Sequence, residues 1–238
     1  MKVAVGIVEY ADAAGLYRNL ASLRLDQPNT IDLAIVVHSR FEHFDLHSDP
    51  TEEQALKQTQ DVIAKCPQDR VKLVQPPIAV GVVNTAAGER EGEERARTTQ
   101  IESRNLYLKV AADEGCDWLL VLDSDEFIAK NADWTEFRKQ LEFVQSLGLP
   151  HQLFDVQMEG MLAMYRGPRP RLFYRPASLK YWKRHYWIVR EEEMICYKGT
   201  TDSGRLIGGI YLMHDRTIRS MNHYNATQDY NQWQVDNE

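Results

Sequence analysis

The chain has 238 residues, enough for one large α/β domain or two small ones. Its hydrophobic content of 43% and charged content of 26% are ordinary for a soluble globular enzyme, and a net charge of −7 excludes a general polyanion binder. The apolar run at the start is too short for a signal peptide or a membrane span, and no other segment is long enough to cross a bilayer. We therefore expect a cytoplasmic protein.

Strands and helices alternate along the first part of the chain. The predicted elements are strands over residues 3–8, 31–37 and 71–74, and helices over residues 13–25 and 51–65. The strands are continuous apolar runs, which is typical of strands buried on both faces. This alternation predicts an α/β fold with a mostly parallel central sheet and helices on both of its faces.

A polar segment over residues 84–100 is expected to be a loop that leads into a helix ending near Asp113. The apolar residues 118–122 then predict a fourth buried strand, with Asp123, Ser124 and Asp125 at its carboxyl end. Ligand sites of open α/β sheets lie at the carboxyl ends of strands. The Asp-Ser-Asp turn is therefore the place where chemistry is expected.

The second part of the chain changes in character. A helix is predicted over residues 134–147, and strands over residues 151–158 and 171–174. No internal repeat, low-complexity segment or linker interrupts the sequence, so a single domain over residues 1–238 is expected. The three cysteines, Cys66, Cys116 and Cys196, are widely spaced and odd in number, which favours reduced thiols over a disulfide framework or a zinc site.

The acidic turn has the composition of a metal site. Two carboxylates separated by one residue concentrate negative charge, which is costly unless a cation binds. Oxygen ligands suit Mg²⁺ or Mn²⁺, and such a cation can stabilise a departing diphosphate. The alternative is a solvated acidic turn without a ligand.

Two segments resemble the family 2 glycosyltransferases. Ser103-Arg104-Asn105, a helix, and then the residues GCDWLLVLDSDE at 115–126 are similar to that family's Arg-Asn pair, helix, glycine, apolar strand and DxD motif. The residues VGIVEY at 5–10 and LASL at 20–23 resemble its first strand, turn and helix. The resemblance covers about residues 1–130 and implies a GT-A fold, a nucleotide-sugar donor and a divalent metal.

The resemblance also implies roles for individual residues. Asp125 would bind the metal, Asp123 would contact the ribose or a metal-bound water, and Arg104 would lie near the diphosphate. Glu9 and Tyr10 would line the nucleotide-base pocket.

The chain departs from the family pattern in two places. Val8 stands where the family usually has proline, and no aspartate follows the second strand. His38, an approach by Asp45 or Asp49, or a different mode of nucleotide binding are the open alternatives for the base contact.

A late histidine is expected to complete the metal site. His214 ends an apolar stretch that begins at Gly208, and a neutral imidazole is a good ligand for Mn²⁺-type metals. Many GT-A enzymes use a histidine from this part of the chain. The sequence thus predicts Asp123, Asp125 and His214 as the metal-binding residues, with His223 as the competing histidine.

A basic and aromatic segment follows over residues 160–190. It carries eight positive charges, and it has no acidic residue from Met161 to Arg190. The predicted acceptor-binding residues are Arg171, Tyr181, Trp182, Lys183, Arg184, Tyr186 and Trp187. Such segregation of charge predicts an anionic acceptor, either nucleic acid with a hydroxylated base or a phosphorylated glycan or lipid. The alternative is a pair of strands with one aromatic core face and one solvated basic face.

Together these features predict a metal-dependent glycosyltransferase that releases a nucleoside diphosphate. Residues 1–130 would form the half that binds nucleotide-sugar and metal, and residues 131–238 the half that binds acceptor. Glu159 is the predicted catalytic base, with Asp155 as the second choice. The alternatives are a non-catalytic nucleic-acid-binding module and a DxD phosphohydrolase, although phosphohydrolases of the haloacid dehalogenase type carry that motif near the chain start.

Overall fold

The three-dimensional structure is a computed structural model. It describes residues 1–9, 12–39, 52–76, 89–148, 153–160, 167–182, 184–191, 193–197, 200–201 and 206–214. Within these residues, no helix is both long enough and apolar enough to cross a membrane.

The described part of the chain contains four α-helices, twelve strands and two short 3₁₀ helices, Gln68–Arg70 and Pro176–Ser178. In chain order, the elements of the first part are β1 (Val3–Glu9), α1 (Ala13–Ser22), β2 (Leu33–His38), α2 (Glu52–Ile63), β3 (Val71–Val74), α3 (Glu89–Asp113), β4 (Trp118–Asp123) and β5 (Glu126–Ile128). Those of the second part are α4 (Trp134–Ser146), β6 (Leu153–Gly160), β7 (Gly167–Tyr174), β8 (Leu179–Trp182), β9 (Arg184–Arg190), β10 (Glu193–Tyr197), β11 (Thr200–Thr201) and β12 (Leu206–His214).

The described strands form two sheets. The larger has eight strands in the order β3-β2-β1-β4-β7-β6-β12-β5, and the smaller has the order β11-β10-β9-β8. In the larger sheet β1, β2, β3, β4, β6 and β12 run in one direction, while β7 and β5 run in the other. The predicted α/β class with a mostly parallel central sheet is confirmed.

The larger sheet is buried on both faces, as the apolar runs predict. Alternate residues of β1 to β4 pack on α1, α2 and α4 on one face, where Leu16 and Phe137 are fully buried. The residues between them pack on α3 on the other face, mainly against Tyr107 and Leu108. Each fully buried side chain of this kind contributes roughly 1.5–3 kcal/mol relative to an exposed one, so both helical layers stabilise the sheet.

Two β-bulges flank β6, the strand at the centre of the irregular part of the sheet. On one side, Phe154 pairs with Leu172 and Asp155 with Pro170, so Arg171 of β7 is an extra residue. On the other side, Ile207 of β12 pairs with the middle of β6 and the register resumes only at Tyr211, so residues 208–210 are extra. Bulges bend a strand and redirect its side chains.

The smaller sheet packs against α3. Leu179 and Tyr181 of β8 and Ile188 of β9 belong to the same buried cluster as Tyr107. The sequence predicts β8 and β9 only through the alternative of a pair of strands with one aromatic core face and one solvated basic face, and it gives no sign of the further strands β10 and β11.

Candidate functional site

The acidic turn lies at the carboxyl end of β4, and helix α1 packs against its backbone. The amide nitrogen of Asn19 donates hydrogen bonds to the backbone oxygens of Asp123 and Ser124, each at 3.3 Å. A Cβ atom at Gly15 would lie 2.5 Å from the Ser124 oxygen, so only glycine allows the helix to approach this closely. The helix therefore fixes the backbone that presents Asp125.

Both carboxylate oxygens of Asp123 bind arginine. Arg104 Nη2 donates to Oδ1 at 2.5 Å, and Arg171 Nη2 donates to Oδ2 at 3.0 Å. Arg171 also binds Glu126, whose other oxygen accepts from the Asp123 backbone N–H at 3.0 Å. The structure thus engages Asp123, predicted as a metal and donor contact, in ion pairs with two arginines.

Burial and charge oppose each other in this cluster. Burial raises the pKa of Glu126 to about 7, although Arg171 acts to lower it. Burial alone would lower the pKa of Arg104, but the charge of Asp123 raises it well above its ordinary value. Arg171 behaves in the same way because Glu126 and Asp123 surround it, so its pKa is also raised. Both guanidinium groups therefore stay charged.

Asp125 and His214 face each other beside this cluster. His214 ends β12 and pairs with Glu126 of β5, and its Nε2 lies 3.4 Å from Asp125 Oδ2. The two residues are only 5% and 7% exposed. Carboxylate and imidazole are suitable ligands for a Mn²⁺-type ion. Among the described residues, however, no group of three or more His, Cys, Asp or Glu side chains is placed to hold a metal.

Two of the residues predicted for the base contact, Glu9 and His38, lie in the interior next to this site. Glu9 accepts hydrogen bonds from the Asp12 backbone at 3.0 Å and from Thr59 Oγ1 at 2.7 Å. Its Oε2 also lies 2.9 Å from His38 Nδ1, and both side chains are buried. The structure thus joins the two predicted residues Glu9 and His38 in one buried pair.

Several other predicted residues lie outside the described part of the chain. They are Tyr10, Asp45, Asp49, Lys183 and His223. Arg184, Tyr186 and Trp187 belong to β9, but their side chains are not described.

Three consecutive residues of α3 contact three different elements. Ser103 donates to Ser39 just after β2 at 2.7 Å, and Arg104 reaches Asp123 at the end of β4. The Asn105 side chain binds the backbone of Tyr181 in β8. The Arg-Asn pair that resembles the family motif therefore links both sheets to the acidic turn.

The two predicted catalytic bases differ in exposure and position. Glu159 is exposed and pairs with Met213, next to His214, near the end of β6. Asp155 is buried four residues earlier, and burial raises the pKa of its carboxyl group although Arg169 acts to lower it. Glu159 is the one that lies at the edge of the sheet where β12 brings His214.

The predicted acceptor contacts also differ from one another. Arg171 is directed to Asp123 and Glu126, and Tyr181 is 2% exposed. Among the members of this set whose side chains are described, Trp182 is the one with an accessible ring, at 42% exposed. The structure therefore places Arg171 and Tyr181 around the acidic turn and in the core, rather than on an open surface.

Sequence reasoning missed several residues that shape the site. Asn19 and Gly15 support the turn, Glu126 binds Arg171, and Tyr107 contacts Arg104. Glu126 directly follows the acidic motif and could have been included on that ground. The other three are separated from the turn by many residues, and no local pattern indicates their contact.

Similar solved structures include those of TarS from S. aureus. A TarS 1–349 structure in complex with UDP aligns with a TM-score of 0.46 and 18% identity, covering 97% of this chain and 64% of that chain. The complex with UDP-GlcNAc gives 0.45 and 15%, covering 97% and 65%. TarS 1–349 alone gives 0.43 and 20%, covering 74% and 48%.

This chain thus spans less than two thirds of the length of each of these TarS structures. No protein-family model matches the sequence, and no curated protein matches it significantly.

Proposed function

We propose that this chain is a metal-dependent glycosyltransferase of the GT-A type. It would move a sugar from a nucleotide-sugar donor to an acceptor hydroxyl and release a nucleoside diphosphate. One observation carries the proposal: Asp125 and His214 face each other at the carboxyl end of a parallel strand, beside the buried Arg104 and the half-buried Arg171. Open α/β sheets bind their ligands at this edge.

The donor atoms of Asp125 and His214 fit a divalent cation. An Asp oxygen and an imidazole nitrogen at 3.4 Å are close enough to bind one ion after a small adjustment. Mg²⁺ and Mn²⁺ are commonly held by few protein ligands and complete their coordination with water and substrate phosphate. We therefore expect tight metal binding only when the nucleotide is also present. Such a cation would stabilise the negative charge of the departing diphosphate.

The charges around the turn support an anionic leaving group together with a cation. Asp123, Asp125 and Glu126 bring three carboxyl groups, and Arg104 and Arg171 bring two guanidinium groups. The Nε atoms of both arginines are buried and have no hydrogen-bond partner among the described residues. A phosphate oxygen is a strong acceptor for a guanidinium N–H. These two N–H groups would bind the donor phosphate after a movement of the arginine side chains, since both atoms are closed to solvent in this structure.

Glu159 is the proposed base for the acceptor. It is an exposed carboxylate on the strand next to His214, so water and acceptor can reach it. In an inverting transfer it would accept the proton of the attacking hydroxyl. Asp155 is buried and four residues farther from the strand end, which favours Glu159.

The test is nucleoside diphosphate release from a panel of nucleotide sugars with Mn²⁺ or Mg²⁺. We expect Asp125→Asn and His214→Gln to lower the rate by about 100- to 1,000-fold, the scale for losing one strong transition-state contact. Asp113→Asn is the matched control, since Asp113 is an exposed carboxylate paired with Lys109 on α3. No release by the wild type, or full activity in excess chelator, would contradict the proposal.

The acceptor is proposed to be anionic because residues 161–190 carry no acidic side chain in an acidic protein. Phosphate contacts from Lys and Arg weaken steeply with salt. The acceptor KM should therefore rise between about 50 and 200 mM salt, and Lys183→Glu with Arg184→Glu should raise it further. Lys139→Glu, on an exposed position of α4, is the control. An acceptor KM that responds to neither change would favour a neutral glycan.

A further inference from the structure

A pair of hydrogen bonds from one side chain of α3 attaches the smaller sheet to that helix. The side chain of Asn105 accepts a hydrogen bond from the Tyr181 backbone N–H at 2.7 Å and donates one to the Tyr181 oxygen at 3.1 Å. One amide thus satisfies both backbone groups of one residue. This contact fixes the position of Tyr181 along α3 and the rotation of β8 about its own axis.

The phenol of Tyr181 then continues toward the acidic turn. Tyr107 donates a hydrogen bond to Tyr181 through their hydroxyl groups at 2.7 Å, and Arg104 Nη1 donates to the Tyr107 hydroxyl at 3.5 Å. The Arg104 guanidinium carbon also lies 5.8 Å from the centre of the Tyr181 ring. Tyr181 therefore contacts Arg104 through its ring and, by way of Tyr107, through its hydroxyl.

These three side chains are shielded from water. Tyr107 is fully buried, and Tyr181 and Arg104 are 2% and 7% exposed. Burial raises the pKa of both phenols, so they remain neutral and keep their hydroxyl protons for hydrogen bonding. Hydrogen bonds among buried groups are costly to remove because water does not replace the lost partner.

We infer that Tyr181 is a positioning residue that couples the smaller sheet to the acidic turn by holding Arg104 against Asp123. A displacement of β8 would move Tyr181, and with it the guanidinium that binds Asp123 Oδ1. Since β8 and β9 carry part of the basic segment, a movement of the smaller sheet would be transmitted to the acidic turn. The consequence for catalysis rests on the proposed glycosyl transfer, whereas the positioning itself does not.

A core-packing role for Tyr181 predicts something different from a positioning role. The ring alone fills space, and Tyr181→Phe keeps the ring while it removes the hydroxyl. Tyr107→Phe removes the same hydrogen bond from the other side, together with the weaker one from Arg104 to the Tyr107 hydroxyl. Tyr174→Phe is the matched control, because Tyr174 is also buried but pairs with Trp118 at the far end of β4 from Asp123.

The first measurement is made on the free protein by NMR. If Arg104 is held in one position, its guanidinium protons should give resolved signals in the wild type. Tyr181→Phe and Tyr107→Phe should broaden these signals and shift the amide signals of residues 123–125. Tyr174→Phe should leave both sets of signals in place. Unchanged signals in folded Tyr181→Phe protein would overturn the inference, whether or not the chain transfers sugar.

The second measurement is the rate of donor hydrolysis. Loss of the hydrogen bond between the two tyrosines should lower kcat about tenfold in Tyr181→Phe. Tyr107→Phe also removes the hydroxyl that accepts from Arg104, so its loss should be at least as large. The double variant should be no worse than Tyr107→Phe alone, because both changes delete one shared contact. A kcat that stays at the wild-type value in Tyr181→Phe, or effects that multiply in the double variant, would overturn the coupling. Absence of hydrolysis by the wild type would count against the proposed function alone, since the NMR result is independent of it.

Discussion

The two halves of the larger sheet are built differently. Strands β1 to β4 pair in parallel with continuous register, and nearly every residue of β1, β2 and β4 is buried. Strands β6, β7 and β12 contain register shifts, one at Arg171 and one at residues 208–210. The regular half provides the frame, and the irregular half supplies Arg171 and His214 to the acidic turn.

The difference shows how a site can be assembled between the two halves. Asp123 and Asp125 come from the end of a regular strand, so their backbone position follows from the fold. Arg171, the shared partner of Asp123 and Glu126, and His214, which faces Asp125, come from bulged strands, whose extra residues change the direction of side chains. Changes at the bulges of the irregular half should therefore affect both stability and the site, while changes in the buried core of the regular half, away from the acidic turn, should affect stability alone.

The largest effect is expected at Arg171. Arg171→Met would leave the buried carboxyl group of Glu126 without its partner and should destabilise the fold by about 3–4 kcal/mol, measured by denaturant unfolding at pH 8, above the Glu126 pKa of about 7. Adding Glu126→Gln should recover much of this loss, because the uncompensated charge is then removed. Equal destabilisation in the single and double variants would contradict this account of the pair.

The next effect concerns two adjacent glycines of β12. Gly209 has a φ of +87°, and a Cβ there would lie 2.4 Å from the Phe137 backbone nitrogen. Gly209→Ala should therefore destabilise the fold by about 3 kcal/mol and displace His214. At Gly208 the nearest atom is the flexible Gln140 amide at 3.1 Å, so Gly208→Ala should cost less than about 1 kcal/mol.

Thermal unfolding and Mn²⁺ binding in the presence of nucleotide would separate these two glycine variants. If both variants lost similar amounts of stability and of Mn²⁺ affinity, the bulge would not depend on the left-handed conformation at Gly209.

A pH dependence of stability should arise from Glu126. Burial raises the pKa of this group in the folded state from 4.5 to about 7. Between these values the folded state keeps a proton that the unfolded state has lost, so stability should fall as pH rises, by up to about 1.4 kcal/mol per pH unit. Unfolding of metal-free wild type and Glu126→Gln from pH 4.5 to 8 tests this, and parallel pH profiles would contradict it.

The smallest effect is expected in the regular half. Ile35 is fully buried in the middle of β2, and Ile35→Val should destabilise the fold by about 1 kcal/mol. Because no bulge or site residue depends on it, kcat should stay at the wild-type value under conditions where the variant is folded. A large loss of activity in this variant would show that the two halves are not separable in the proposed way.

The frame could be predicted from the sequence because it depends on local patterns. The apolar runs at β1, β2 and β4 predict buried parallel strands, and the helical stripe after β1 predicts α1. The smaller sheet and the register shifts could not be predicted in this way. They depend on which strand pairs with which, and residues 208–210 show only a pair of glycines as a sign of irregularity.

The site, like the fold, could be predicted only where local sequence patterns mark it. The Asp-Ser-Asp turn and His214 are identified by their positions at strand ends, and the structure brings Asp125 and His214 together. The metal itself and the roles of Glu159 and the acceptor residues stay predictions. The contact between Arg171 and Asp123 joins residues 48 apart in sequence, and nothing local marks them as partners.

The glycine at position 6 has a consequence for how such sequences can diverge. A Cβ at Gly6 would lie 2.7 Å from the ring of Tyr107, so the bare backbone of β1 provides the space in which that ring lies. A relative with a side chain at position 6 could not keep the tyrosine at position 107 in the same place. The two positions should therefore vary together during evolution. Where β1 carries a side chain at position 6, α3 should carry a residue smaller than tyrosine at position 107.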